Sequence, residues 1–235
     1  MSVAAVVFDL DGVLVDSEQV WDEARRELVT EQGGTWQEDA TRAMMGMSSP
    51  EWSRYVHEEL HVPLEPAAIS AAVVGKVERL YRRRLPLLPG AQEAVRALGE
   101  HWPLGLASSS NREIIDLALD LAGLTDAFSV TVSSEEVARG KPAPDVYLEA
   151  ARRLQVAPNE CAAIEDSTNG LRAAAAAEMY VIAIPNAAFP PSEEALGLAN
   201  AVIQSLQELP RTFRRVAVAP SMSRSAHDPS SRESA

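Results

Sequence analysis

Two acidic side chains set two residues apart offer the first chemistry in this chain: Asp9 and Asp11, in Val6-Val7-Phe8-Asp9-Leu10-Asp11-Gly12-Val13. The run Ala4 to Phe8 is apolar and β-branched, so it reads as a buried parallel strand ending at the first acid. In extended backbone, residues i and i+2 project to the same side, and both carboxylates can reach one substrate. Acids this close repel each other. The pair is tolerable when a cation neutralises one and the other exchanges a proton. An Asp-x-Asp-Gly taken alone is also compatible with a plain acidic turn beside Gly12.

Lysine stands out by scarcity. Of 21 Lys+Arg residues, only Lys76 and Lys141 are lysines. A chain that uses arginine nearly everywhere can keep a lysine where a compact charge with rotatable donors is needed rather than a planar fork.

The elements that must position these groups follow from periodicity. Apolar runs recur at Leu104 to Ala107, Phe128 to Val132, Ala162 to Ile164 and Val181 to Ile184. Helical patterns separate them, roughly Ala91 to Glu100, Arg112 to Leu121, Asp145 to Leu154 and Leu171 to Ala177, which makes a βαβ series with chemistry at the carboxyl ends of its strands. From Ser17 to Leu88 the apolar residues recur at helical spacing, with breaks at Gly33-Gly34, Gly46, Pro50 and Pro63. A loop of that length without structure is implausible, so this stretch is expected to form a helical cap over the strand ends. The expected fold is therefore α/β: a Rossmann-like parallel sheet core (1–16 and 89–210) with an inserted α-helical cap (17–88). The segment 211–235, rich in Ser, Arg and Pro, reads as a disordered tail.

Composition bounds the function classes. The formal charge of -13 repels a nucleic-acid backbone, and Arg82-Arg83-Arg84 reads as the solvated end of a helix rather than a basic patch. No apolar run approaches the roughly 20 residues of a membrane span. The first residues carry no basic leader, and the single cysteine, Cys161, excludes an intrachain disulfide. A cytoplasmic protein without nucleic-acid or membrane partners is expected.

The segment Phe8 to Ser17 resembles the opening motif of the haloacid dehalogenase-like hydrolases. Leu106-Ala107-Ser108-Ser109-Ser110 is similar to that family's second motif, Gly140-Lys141-Pro142-Ala143-Pro144 to its third, and Ile164-Glu165-Asp166-Ser167 to its fourth. The likeness runs from about Val3 to Ile184. It implies a catalytic set of Asp9 as nucleophile, Asp11 as general acid and base, Ser108 as a donor to phosphoryl oxygen, and Lys141 as the neutralising charge. It also implies a Mg²⁺ site from Asp9, Glu165, Asp166 and the backbone carbonyl of Asp11, with Glu165 binding directly or through water. Leu10 and Ser109 would lend backbone amides to a substrate, and Asn111 and Trp21 would border it. Ser110 or Asn111 better suits helix capping than Ser108 does. True haloacid dehalogenases lack the second acid, so Asp11 favours phosphoryl transfer.

Asp16-Ser17-Glu18-Gln19-Val20-Trp21 resembles the branch holding sugar-phosphate phosphatases and β-phosphoglucomutase. The mutase keeps a histidine at the position of Trp21 and an arginine soon after the cap glycine; Gly46-Met47-Ser48-Ser49 has none. An apolar wall with Trp21 suits a ligand with one phosphate, although Trp21 is equally readable as cap core. The resemblance thus implies a Mg²⁺-dependent phosphatase for a small phosphorylated metabolite, sugar or sugar-alcohol in type. Mutase activity and a non-catalytic phospho-ligand binder are the alternatives; the latter would be marked by loss of Asp9, Asp11, Lys141 or Asp166. Lys76 invites comparison with the Schiff-base lysine of phosphonoacetaldehyde hydrolase, but reads as exposed on a long helix. His57, His61, His101 and His227 lack metal-ligand spacing and read as bystanders.

Overall fold

The computed structural model describes residues 3–44 and 47–218. Strand β1 (Ala5–Phe8) leads into four helices, α1 (Glu18–Glu31), α2 (Ala40–Met44), α3 (Ser49–Glu58) and α4 (Pro66–Arg83). The chain then alternates: α5 (Ala91–Gly99), β2 (Leu104–Ser108), α6 (Arg112–Ala122), β3 (Val130–Ser133), α7 (Asp145–Leu154), β4 (Cys161–Glu165), α8 (Thr168–Ala176) and β5 (Tyr180–Ala183). It closes with α9 (Glu193–Leu196), β6 (Ala201–Val202) and α10 (Leu209–Val218). All pairings in the six-stranded sheet are parallel, in the order β3-β2-β1-β4-β5-β6. β1 therefore sits between β2 and β4, and the three motif-bearing strand ends meet.

The pleat of β1 explains its unbroken apolar run. Val6 and Phe8 enter one packed layer, with Leu104, Leu106, Ile164 and Ile182, while Ala5 and Val7 enter the other, with Ala163, Val181 and Tyr147. A strand covered on both faces needs no polar alternation. The cap helices pack on one another through α1 and α4. Lys76 on α4 is 6% exposed and pairs with Glu27 (3.1 Å) and Glu31 (2.8 Å) on α1. This corrects the expectation of an exposed lysine: its stem is buried between helices, and its charge is taken by two glutamates rather than offered to a carbonyl substrate.

Two boundaries move. Helix α8 begins at Thr168, three residues ahead of the periodic pattern, because the Ser167 hydroxyl accepts from the Gly170 amide (3.0 Å) and caps it. The tail expected from 211 onward is helical to Val218, since Phe213 is buried against Trp102 with ring centroids 5.1 Å apart. Burying that ring contributes on the order of 2 kcal/mol, enough to hold one short helix. Met45, Gly46, His227 and the rest of the tail, 219–235, lie outside the described residues. Among those described, no helix is long and apolar enough to cross a membrane.

Candidate active site

The site is built at the point where β1 gives way to its loop. The Asp9 amide still donates to Ile164 of β4 (3.0 Å), which fixes the backbone, while Leu14 and Val15 amides both donate to the Leu10 carbonyl and fold the loop tightly. Gly12 turns this corner at φ +77°, and a Cβ there would stand 1.9 Å from Asp166 Oδ2. Only glycine meets both the left-handed backbone and the close approach. The backbone amides of Leu10, Asp11 and Ser109 have no backbone acceptor among the described residues, leaving a group of donors beside Asp9.

Lys141 is the centre of charge. Its Nζ lies 2.6 Å from Glu165 Oε1 and 3.0 Å from Asp9 Oδ1; the first contact is aligned as a hydrogen bond and the second is an ion pair only. Burial would lower the lysine pKa, but Asp9 and Glu165 together hold it above the ordinary value, so it stays charged. Glu165 is fully buried and crowded with donors. Oε1 also accepts from the Tyr147 hydroxyl (2.8 Å), and Oε2 accepts from the amides of Asp166 (3.0 Å) and Ser167 (3.2 Å) and from the Ser167 hydroxyl (3.2 Å).

Carboxylate oxygens of Asp9, Glu165 and Asp166 lie within 4.8 Å of one another. Burial pushes the Asp9 and Asp166 carboxyls well above the usual range, and the neighbouring Glu165 pushes both further; Lys141 offsets part of this. Asp166 Oδ1 is buried without a hydrogen-bond partner. Hard oxygen donors that repel each other in a dry site fit a divalent cation. Since five donors already occupy Glu165, the oxygens open to a metal belong to Asp9 and Asp166. The Asp11 side chain lies apart from this group and accepts from Ser110 Oγ (2.7 Å) and Ser108 Oγ (3.3 Å).

Between these strand ends and the cap lies a narrow cleft, where Asp9, Asp11, Lys141 and Ser109 face Trp21 and Trp52. Trp21 is buried and meets Trp52 edge-on at 6.1 Å. Two expected substrate contacts are placed otherwise. Ser108 is fully buried and does not line the cleft, because its hydroxyl is held between Asp11 Oδ2 and the Ser110 amide (3.0 Å). Asn111 is also withdrawn: its Oδ1 accepts from Ser49 of the cap (2.7 Å) and its Nδ2 donates to Glu135 (2.7 Å), so it ties cap to core instead. His57 lies 2.8 Å from the Leu64 carbonyl and takes no part in the acidic cluster of Asp9, Glu165 and Asp166.

Residues that the sequence did not assign to the site complete the cleft: Ser110, Glu18, Trp52, which periodicity placed only in a cap helix, and, above all, Arg25. Arg25 follows Trp21 by one helical turn, the spacing that shares a face, and that was the available signal. The cap wall thus carries a positive charge from α1, at a place other than the one after the cap glycine, where Met47-Ser48-Ser49 has no arginine.

Gly170 supplies a test of how tightly this site is packed. A Cβ there would fall 1.8 Å from Glu165 Oε1. Gly170→Ala is expected to displace Glu165 and Lys141 with it, costing about 3 kcal/mol and at least ~10-fold in turnover. Thermal melting and steady-state rates check it; an unchanged melting temperature would show that the helix can shift freely.

Comparison with known proteins agrees with this geometry. The family model for haloacid dehalogenase-like hydrolases matches residues 3–178. Hexitol phosphatase B of Escherichia coli O157:H7 is 34% identical over 88% of this chain and 94% of its own length. A fructose-1-phosphate phosphatase of Escherichia coli strain K12 is 29% identical over 76% and 95%. The crystal structure of CbbY from Rhodobacter sphaeroides in complex with phosphate superposes with a TM-score of 0.79 at 27% identity, covering 88% of this chain and 96% of the other. With the motif residues gathered at one sheet end under a helical cap, the chain belongs to the haloacid dehalogenase-like hydrolase family.

Proposed function

We propose that this chain is a Mg²⁺-dependent phosphatase that hydrolyses small phosphate monoesters of sugar or sugar-alcohol type through a phosphorylated Asp9. The observation that carries the reading is the pairing of a nucleophile and a proton carrier in one cleft. Asp9 is held by Lys141, and Asp11, two residues on, is held by Ser108 and Ser110. The phosphatases among the relatives support it, and the buried Cys161 suits a cytoplasmic setting.

In the first step an Asp9 oxygen attacks phosphorus, the bond to the leaving oxygen breaks, and Asp11 gives that oxygen its proton. Lys141 and the amides of Leu10 and Ser109 take up charge on the phosphoryl oxygens. In the second step water attacks phosphorus, Asp11 accepts the water proton, and Asp9 is freed with release of inorganic phosphate. Asp9 and Asp166, with the Asp11 carbonyl, would hold Mg²⁺, which would supply positive charge to offset the acids as a dianionic ester approaches. Ser108 acts here by orienting Asp11, and Trp21 with Trp52 walls the cleft against water.

Phosphate release from a panel of sugar phosphates, with and without chelator, tests this. Chelation is expected to abolish turnover, and Asp11→Asn to lower it by ~10²–10⁴-fold. Turnover indifferent to chelator, or isomerised sugar phosphate in place of free phosphate, would overturn the proposal.

A further inference from the structure

Arg25 is a charged residue in an apolar place. It belongs to the buried stripe of α1 with Trp21, Ala24 and Leu28, and is 6% exposed. Its guanidinium carbon lies 5.3 Å from the Trp21 ring centroid and 5.2 Å from that of Trp52. Nε and Nη1 are buried without any hydrogen-bond partner. None of the nearby acids hydrogen-bonds it: Asp22 is held by Arg26 (2.6 Å) and by the Thr41 hydroxyl, and Asp11 is held by Ser110. Glu18 lines the same cleft and its charge acts on the guanidinium, but the two form no direct ion pair among the described residues, so the N–H donors stay open. Cation–π contact with two indoles favours the charge but fills none of the five N–H positions.

A buried guanidinium with open donors is costly unless something completes it. The cleft that it faces also holds Asp9 and Lys141. A neutral hydroxyl would satisfy one N–H and leave the charge only partly offset, whereas a carboxylate or phosphate matches the fork and the charge together. We propose that Arg25 is a specificity residue that binds a second anionic group, carboxylate or phosphate, on a phosphate monoester whose reacting phosphate lies at Asp9. This rests on the phosphatase reading and narrows it: acidic sugar-type phosphates are the preferred substrates, and neutral ones the poorer.

The test uses the full chain and three esters of equal carbon length: a sugar-alcohol phosphate, the aldonic-acid phosphate, and the bisphosphate. Specific turnover, kcat/KM, is measured for each, and affinity is measured separately by calorimetry on Asp9→Asn, which does not depend on turnover. At least one anionic ester is expected to exceed the neutral one by about 100-fold, and the choice between acid and bisphosphate identifies the group. Arg25→Gln is expected to bring the ratio close to one, while Arg25→Lys keeps part of it. A neutral ester bound and hydrolysed as well as both anionic ones, or a preference that survives Arg25→Gln, overturns the assignment. Selective binding without hydrolysis of any ester upholds it and sinks the phosphatase reading instead. Melting separates recognition from a structural clasp: loss of a buried charge whose N–H donors are open is expected to leave the melting temperature nearly level or raised, and a fall of about 5 °C or more overturns the proposal.

Discussion

Replacing Asp9 by asparagine is expected to lower Mg²⁺-dependent phosphate release by about 10⁴-fold or more, because the amide cannot form the phosphorylated intermediate while its volume is unchanged. The fold should persist. Asp9 is nearly buried, and burial raises its pKa despite Lys141, so its ionised form is under strain from Glu165 and Asp11. Removing that charge relieves repulsion, although it leaves Lys141 with Glu165 alone. The melting temperature should therefore change little without metal, while the stabilisation that Mg²⁺ gives the native chain should shrink with the loss of a ligand. Acid-quenched reactions should trap phosphorus on the native protein and none on the variant. Residual turnover above about 1% would assign the chemistry to another group.

Lys141→Met is expected to be the most damaging single change for stability as well as for rate. The lysine is 4% exposed and is the only cation bonded to Asp9 and Glu165 among the described residues. Taking one partner from a buried ion pair costs about 3–5 kcal/mol, roughly 10 °C in melting temperature for a chain of this size. The pH dependence has a definite sign. In the native chain Asp9 and Glu165 raise the lysine pKa, so its contribution is complete below the unfolded value of about 10.4 and fades as pH rises beyond it. In the variant the deserted Asp9 carboxyl, its pKa already raised by burial, takes up a proton more readily in the folded state. Its stability should recover as pH falls from neutral towards about 4, and the gap to the native chain should narrow there. Denaturant melts at pH 5, 7 and 9, with chelator present, measure this. A constant gap across that range would mean that Lys141 acts by packing alone.

Local chemistry made much of this legible. Phe8 could be placed in a strand because a parallel strand covered on both faces is apolar throughout, and the period of two then aims Asp9 and Asp11 together. The scarcity of lysine marked Lys141, and a place after an apolar strand, together with the family resemblance, marked Glu165 and Asp166. Strand β6, only two residues long at the sheet edge, was not legible: Ala201-Val202 is too short for a pattern. Ser108 and Asn111 were assigned to a substrate by their motif positions. Their partners, Asp11 and Ser49 respectively, are distant in sequence, and a hydroxyl or amide goes to whichever neighbour the fold brings nearest.

The cap shows the division most sharply. Sequence by itself made helices legible between the first strand and the second, with Trp21 and Leu28 among their apolar positions, since both follow from a period of 3.6. It could not determine that Arg25, one turn after Trp21, is carried inside, or that Lys76 is. For Lys76 the fold supplies two glutamates and the charge is settled. For Arg25 it supplies two aromatic rings and an open cleft. Burial and pairing are properties of the surroundings in three dimensions, and they decide whether a cation in a helix is a staple or a binding group.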